Sequence, residues 1–185
     1  TDIAQSKLFD RLLAAGSNLD LLVEGKIRRL LDFDILEKIS EQGVNLDVVD
    51  DEGNTPLFYC HYTRQAEKTL RLLKKSGCDI DHINKLGETA LSTQLGENGD
   101  IYFGCYDVCS DLIAIGANIQ CPPNPSPLLV RLPKDPESYY SDDVLGFIDL
   151  LIKKKVSLDE RDPLTGNSAL HYWASTDGKI SRKIC

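Results

Sequence analysis

Cysteine and histidine are the residue types in this chain that most often form structural zinc sites. Cys105 and Cys109 are four residues apart, so on a helix they would share a face and could form one half of a zinc site. The nearest further candidates, Cys78 and His82, lie at the start of a turn segment and not on a helix. A structural zinc site needs four ligands. Because two ligands at matching spacing are missing, we expect no bound metal and no cofactor.

Nucleophilic catalysis by a thiol would need a cysteine beside a histidine, with a third group that orients the imidazole. Cys60 and His61 are adjacent, and adjacent side chains on a helix point about 100° apart, so they do not readily meet. The glycines are too widely spaced for a phosphate-binding loop. We therefore expect the six cysteines to be reduced thiols in a cytoplasmic protein that is not an enzyme.

Composition excludes several other classes of function. The 185 residues include 29 acidic and 21 basic side chains, for a net charge of -8, which disfavours binding to nucleic acid. The apolar runs are far shorter than the roughly 18 residues that cross a membrane. We expect a folded monomer that binds neither nucleic acid nor membranes. Since there is no methionine, even at position 1, we also expect the chain to be part of a longer polypeptide.

An internal repeat organises the chain. A short motif with Thr or Ser before an apolar residue occurs four times, at intervals of 34, 37 and 42 residues. The four copies are 53–57, 87–91, 124–128 and 166–170. A second signal, an apolar helical stretch with a polar ending, occurs at 72–81, 112–120 and 150–159, with related endings at 13–20 and 39–47. A recurrence of this length predicts stacked repeats.

The residue types within the motifs predict how each helix begins and ends. Hydroxyl side chains that can cap a helix N-terminus are Thr55, Thr89, Ser126 and Ser168. Prolines that fit the first helical turn are Pro56 and Pro127. Glycines that can close a helix in the left-handed conformation are Gly16, Gly43, Gly77 and Gly116. Each unit is thus predicted to be two helices followed by an extended segment, called a finger here, that leads to the next unit.

These motifs make the chain similar to the ankyrin-repeat family, whose unit of about 33 residues has a β-turn, two helices and a Thr-Pro-Leu-His signature. The resemblance implies an all-α fold, an ankyrin-repeat solenoid of stacked helix-loop-helix units with short extended fingers. The units would be an N-terminal cap with a helix at 3–15 and a degenerate short repeat within 1–47, full repeats at 48–81, 82–120 and 121–159, and a partial repeat at 160–185. The chain departs from the family in the short step from Gly16 to Gly43 and in insertions between helices. His171 matches the signature histidine, which implies a structural hydrogen bond.

The resemblance also implies a function. Proteins of this family bind protein partners along a concave groove lined by first helices and fingers, so we expect a non-catalytic interaction module of a larger intracellular scaffold, adaptor or effector. Leu57 and Cys60 should face the core, which turns Tyr59 and Tyr62 toward the groove. The residues predicted to bind the partner are Asp51, Glu52, Tyr59, Tyr62, Lys85, Arg131 and Tyr172. Four carboxylates in the finger at 47–52 favour a partner with a basic segment, with Lys85 and Arg131 as basic exceptions.

Alternatives remain open at this point. The chain could be a regulatory or substrate-docking segment of an enzyme whose catalytic domain lies outside these residues, and a thiol-dependent or zinc-dependent enzyme is a third hypothesis. The polar insertion at 133–143 could be a binding loop or a surface excursion. Diverged arrays with insertions also resemble effectors that intracellular bacteria deliver to host cells, which would place the protein in the host-cell cytoplasm.

Overall fold

The computed structural model describes residues 33–63, 65–95, 105–120, 128–132 and 141–175. In these ranges the chain is helical and contains no strand, apart from an isolated bridge between Arg161 and Ser168. The α-helices are α1 (Phe33–Glu41), α2 (Ala66–Lys75), α3 (Ala90–Gln94), α4 (Cys105–Ile115), α5 (Ser141–Lys153) and α6 (Ala169–Ser175). Two 3-10 helices are η1 (Pro56–Tyr62) and η2 (Leu128–Arg131). The prediction of an all-α chain is confirmed for this part of the sequence.

Long helices and short helices alternate along the chain and pack as two sets. The long helices α1, α2, α4 and α5 pack against one another in chain order. The short helix η1 packs against α3, and both contact the long helices beside them. The short helices η2 and α6 also pack together. Each unit therefore covers part of the apolar surface of its neighbour.

The long helices all end in the same way. In α2 the amide of Cys78 donates to the carbonyl of Leu73 at 3.1 Å, and Gly77 between them has a φ of 91°. Equivalent bonds close α1, α4 and α5, and the left-handed residues there are Gly43, Gly116 and Lys155. The prediction for Gly43, Gly77 and Gly116 is confirmed, whereas Gly16 lies outside the described residues. Lys155, with a φ of 59°, adopts this conformation without being a glycine.

The first two fingers share one turn geometry, and the third finger has a related turn that is one residue longer. In the first finger (47–54), the Oδ1 atom of Asp50 accepts hydrogen bonds from the amides of Glu52 and Asn54 at 3.1 and 2.8 Å. Asn84 makes the same pair of bonds in the second finger (81–88), and Asp162 accepts the first of them in the third finger (159–167). The turns close through glycines of positive φ, which are Gly53, Gly87 and Gly166.

The predicted helix caps differ from one unit to the next. The hydroxyl of Thr89 accepts from the amide of Ser92 at 3.2 Å, and Ser92 returns a bond to the Thr89 amide, so this cap is confirmed. Pro56 occupies the first turn of η1 as predicted. The prediction for Thr55 is wrong: its side chain makes no capping bond. Because η1 is a 3-10 helix, the amide of Phe58 bonds the Thr55 carbonyl instead.

The fourth motif uses its hydroxyl in another way. The Ser168 hydroxyl lies 2.8 Å from Nδ1 of His171, which also accepts from the Ser168 amide at 3.3 Å. The prediction that His171 forms a structural hydrogen bond is confirmed. Ser126 and Pro127, at the third motif, lie outside the described residues.

The core lies between the two sets of helices. Leu57 and Cys60 are completely buried, as predicted from their spacing. In the interior, Nε2 of Gln94 donates to the Phe58 carbonyl at 2.9 Å and links α3 to η1. The other large side chains that are fully buried are Leu36, Ile39, Leu46, Leu70, Leu73, Leu91, Leu95, Leu112, Leu132, Phe147 and Leu151. With the smaller Ala169 of α6, these residues belong to one buried cluster, so one continuous core joins the units.

Several predicted segments lie outside the described residues. They are the capping helix at 3–15, residues 133–140 of the insertion, and the last residues of the partial repeat at 176–185. The division of the chain into an N-terminal cap, three full repeats and a partial repeat stays a prediction.

Candidate protein-interaction surface

The first and second fingers are joined by main-chain contact at their tips. The amide of Lys85 donates to the Glu52 carbonyl at 3.1 Å, and the ammonium of the same lysine donates to the Asp51 carbonyl at 2.7 Å. A Cβ atom placed on Gly53 would lie only 3.1 Å from the Lys85 nitrogen. The two tips thus pack closely because a glycine occupies this position.

Side chains below the tips add further links between the two fingers. Nε2 of His82 donates to the Gly53 carbonyl at 2.9 Å, and the His82 and Phe58 rings are nearly perpendicular, with 6.5 Å between their centroids. Nδ2 of Asn84 donates to Oδ1 of Asn54 at 2.9 Å. The fingers are therefore held in a fixed relation to each other and to η1.

Carboxylates are the most numerous of the exposed side chains of this finger pair. Asp51 and Glu52 are exposed at the tip of the first finger. Asp47 is also exposed, and its Oδ1 atom accepts from the Asp79 amide at 3.4 Å. One unit further on, Oδ1 of Asp81 accepts from the Asn118 amide at 2.8 Å. Some of the acidic side chains thus connect consecutive units, while those at the tip face solvent.

Tyr59 has a structural role that its position in the sequence did not indicate. Its ring is half-buried, its hydroxyl donates to Oδ2 of Asp50 at 2.5 Å, and it accepts from Nδ2 of Asn54 at 2.9 Å. Burial raises the pKa of Tyr59, and the hydrogen bond to Asp50 raises it further. The tyrosine therefore holds the base of the first finger. The spacing between a turn aspartate and a tyrosine on the next helix is the signal that could have revealed this.

The structure brings together four of the seven residues predicted to bind a partner. Asp51, Glu52 and Lys85 meet at the paired finger tips, and Tyr59 lies below them. The side chains of Tyr62, Arg131 and Tyr172 lie outside what the structure describes. In the next two units the position of Tyr59 is occupied by Thr93, which is half-buried, and by Val130, which is buried.

The sequence analysis missed a group of exposed apolar side chains on the same fingers. Val49 is 51% exposed, Ile83 is 49% exposed and Leu86 is 79% exposed. Val49 and Ile83 occupy equivalent positions, each directly before the residue that opens its turn. Apolar residues within a charged turn were a signal in the sequence for an exposed apolar surface, but only the structure shows that these residues lie on neighbouring fingers.

The buried cysteines lack the properties of nucleophiles. Burial raises the pKa of Cys78 to about 12, and the pKa of the completely buried Cys60 is raised still further by desolvation. The Cys78 thiol donates to the Leu46 carbonyl at 3.3 Å. Cys109 is also buried, and in the described ranges no three His, Cys, Asp or Glu residues are grouped so as to hold a metal ion.

An acidic surface also lies where α2 packs on α4, away from the sequence motifs. Burial raises the pKa of Asp111, and the neighbouring carboxylates of Glu67 and Asp107 raise it further, while Arg71 opposes them. Arg71 forms an ion pair with Glu67 at 3.0 Å on the exposed face of α2. This group contains a partly buried carboxylate that favours its neutral form more than an exposed aspartate does.

Comparison with known proteins identifies a partial similarity. No family model matches the chain. Over 60 residues the chain is 33% identical to a protein of Borreliella burgdorferi that is named as an ankyrin repeat protein. The chain resembles an ankyrin repeat protein. The matched stretch is 32% of this chain and 27% of the Borreliella protein, so the chain spans about a quarter of the relative that it matches. Of the helices that the structure describes, none is long and apolar enough to span a bilayer.

Proposed function

We propose that this chain is an ankyrin-type repeat stack that binds a protein partner and does not itself catalyse a reaction. The observation that carries the proposal is the rigid pairing of two fingers that expose charged and apolar side chains. The common helix endings, the related finger turns and the similarity to the Borreliella protein support the repeat assignment. A rigid, solvent-exposed surface favours binding because little conformational entropy is lost on association.

The partner would contact the groove formed by the short helices and the fingers. In this proposal Asp51, Glu52 and Lys85 form the rim, and the half-buried ring of Tyr59 contributes to the floor. The proposal also includes Tyr62, Arg131 and Tyr172, which the sequence predicts to bind the partner. Tyrosine suits this role because it combines a large apolar ring with a hydrogen-bonding group.

The wider role proposed for the chain is partner recognition within a larger intracellular scaffold, adaptor or effector. It would act there as a monomer in the cytoplasm, which is the host-cell cytoplasm if the protein is a delivered effector. A stack of this kind offers a long surface in a small number of residues, since each unit adds one finger and one short helix.

Affinity capture followed by binding measurements tests the proposal. The wild-type chain should retain a specific protein, identified by mass spectrometry, and Tyr59→Ala together with Tyr172→Ala should weaken its binding roughly 30-fold, or about 2 kcal/mol. Arg71→Ala, on the exposed face of α2, is the control and should leave binding unchanged. Tyr59→Phe keeps the ring and removes the hydroxyl, so it separates partner contact from the bond to Asp50.

Two results would contradict the proposal. A chain that retains no protein specifically would argue against an interaction module. A partner that binds the double tyrosine variant as tightly as the wild type, with the fold intact by circular dichroism, would exclude the groove.

A further inference from the structure

The exposed apolar side chains on the first two fingers need an explanation that the core does not supply. Leu86 is 79% exposed at the tip of the second finger, and Val49 and Ile83 are about half exposed at equivalent positions on adjacent fingers. These three residues, with Asp51 and Glu52, are called the finger surface here. Apolar side chains grouped on one surface are a feature of interaction sites.

The finger surface is held in place by bonds that do not involve its own apolar side chains. The main chain of the second finger is tied to the first through Lys85 and Glu52, and His82 adds a bond to Gly53. Val49 and Ile83 are consequently presented at fixed positions. Such preorganisation lowers the entropic cost of binding an extended segment.

The charges around these apolar residues specify the chemistry of a ligand. Asp47, Asp51, Glu52, Asp79 and Asp81 are all exposed on or beside the two fingers. Lys85 is the basic residue within them, and its ammonium is bonded to the Asp51 carbonyl. The finger surface therefore combines apolar contacts with a negative potential, which complements a cationic and apolar ligand.

We propose that the finger surface docks a segment of a protein partner in which lysine or arginine residues accompany large apolar side chains. The apolar side chains of the segment would pack on Val49, Ile83 and Leu86, and its cations would lie against Asp51 and Glu52. This inference rests on the proposed function and adds to it the position of the contact and the chemistry of the partner.

The third finger provides a matched control within the same chain. Leu164 at its tip is 83% exposed, and Asp159 and Glu160 are exposed nearby. Arg161, however, occupies the position of Val49 and Ile83, so the third finger lacks the apolar pair. Substitutions in the third finger therefore replace an exposed leucine and exposed carboxylates, as in the first two fingers, without altering the finger surface.

The test uses a random peptide library displayed on phage and selected on the full 185-residue chain. The enriched peptides should carry net positive charge together with apolar residues. For a synthetic copy of an enriched peptide, measured by fluorescence anisotropy, Leu86→Ser with Ile83→Ser should weaken binding roughly tenfold or more. Asp51→Asn with Glu52→Gln should weaken binding and reduce its salt dependence.

The matched variants Leu164→Ser and Asp159→Asn with Glu160→Gln should change the affinity by no more than about twofold. All substituted side chains are exposed, and unchanged circular dichroism and melting temperatures establish that the variants fold. If the finger variants and the control variants weaken binding equally, the effect is not local and the inference is wrong.

Further outcomes separate this inference from the proposed function. Peptides that bind the finger variants normally but lose affinity for Tyr59→Ala would overturn the finger surface and leave groove binding in place. Enrichment of acidic peptides would overturn the charge assignment. If no peptide is enriched, the finger surface does not dock short segments and this inference fails, whereas the proposed function is still decided by capture of a whole protein.

Discussion

Thr55 and Thr89 occupy the same position in consecutive units and should respond in opposite directions to replacement by valine. Both precede a short helix with extended backbone, at φ and ψ of -80° and 168° for Thr55 and -97° and 164° for Thr89. Both are buried. Valine has nearly the same shape as threonine and tolerates this backbone, so the two substitutions differ mainly in what each hydroxyl contributes.

The Thr89 hydroxyl caps α3 through the Ser92 amide, and losing such a cap costs about 1 kcal/mol of folding free energy. The Thr55 hydroxyl is buried without a hydrogen-bond partner in the described structure. Burying an unsatisfied polar group costs about 1 to 3 kcal/mol, and a methyl group in its place removes that penalty. We therefore expect Thr89→Val to destabilise the chain by about 1 kcal/mol and Thr55→Val to stabilise it by about the same amount.

Equilibrium unfolding in urea, followed by far-UV circular dichroism, measures both effects. With a denaturant dependence of about 2 kcal/mol per molar urea, each substitution should move the midpoint by about 0.5 M, in opposite directions. Unchanged helical content at zero urea is the control for folding. A Thr55→Val midpoint that falls as far as that of Thr89→Val would refute the reasoning, because it would mean that the Thr55 hydroxyl makes a stabilising bond in solution.

Two further predictions concern the helix ends and the thiols. Lys155→Gly should raise the free energy of unfolding by about 0.5 to 1 kcal/mol, because the gain from removing the left-handed strain exceeds the entropy that glycine adds to the unfolded chain. Gly77→Ala should lower the free energy of unfolding, because it places a side chain on a residue of positive φ. Urea midpoints measure both changes, and a lower midpoint for Lys155→Gly would contradict the first expectation. Cys60 and Cys78 should resist iodoacetamide at neutral pH until urea unfolds the chain, and rapid modification of the native protein would contradict this burial. The pKa of Cys78 is about 12 in the folded chain and about 8.5 in the unfolded chain, so the stability that this thiol contributes is complete below pH 8.5 and is lost as the pH rises toward 12. Urea unfolding at a series of alkaline pH values should show the free energy of unfolding falling less steeply for Cys78→Ala than for the wild type, by up to about 1.4 kcal/mol per pH unit.

Local features of the fold could be predicted from the sequence because they depend on a few adjacent residues. Gly43, Gly77 and Gly116 mark helix ends, since the left-handed conformation needed there is easily adopted only by glycine. The spacing of Leu57 and Cys60 was enough to assign both to the core. Lys155 shows the limit of this approach, because the contacts that close α5 impose the same conformation on a residue with no preference for it.

The candidate site could be predicted only in part. The acidic residues Asp51 and Glu52 and the tyrosine at position 59 stand out in the sequence as polar and aromatic residues at repeat positions. The spacing of Asp50 and Tyr59 was a signal for the bond at the base of the first finger, although spacing alone does not show which groups come into contact. That Thr55 has an unsatisfied hydroxyl was not predictable, because it depends on whether the following helix is α or 3-10.

The sequence alone was sufficient to predict the helical class, the recurrence of the motifs and the glycines that end three of the long helices. The tertiary structure alone decided how the fingers pair: Lys85 bonds Asp51 across 34 residues, and His82 bonds Gly53 across 29. It also placed Val49 and Ile83 at equivalent, half-exposed positions on neighbouring fingers. The physical reason is that helix ends and turns are set by local backbone preferences, whereas contacts between units depend on how the long helices pack and set the distance from one finger to the next.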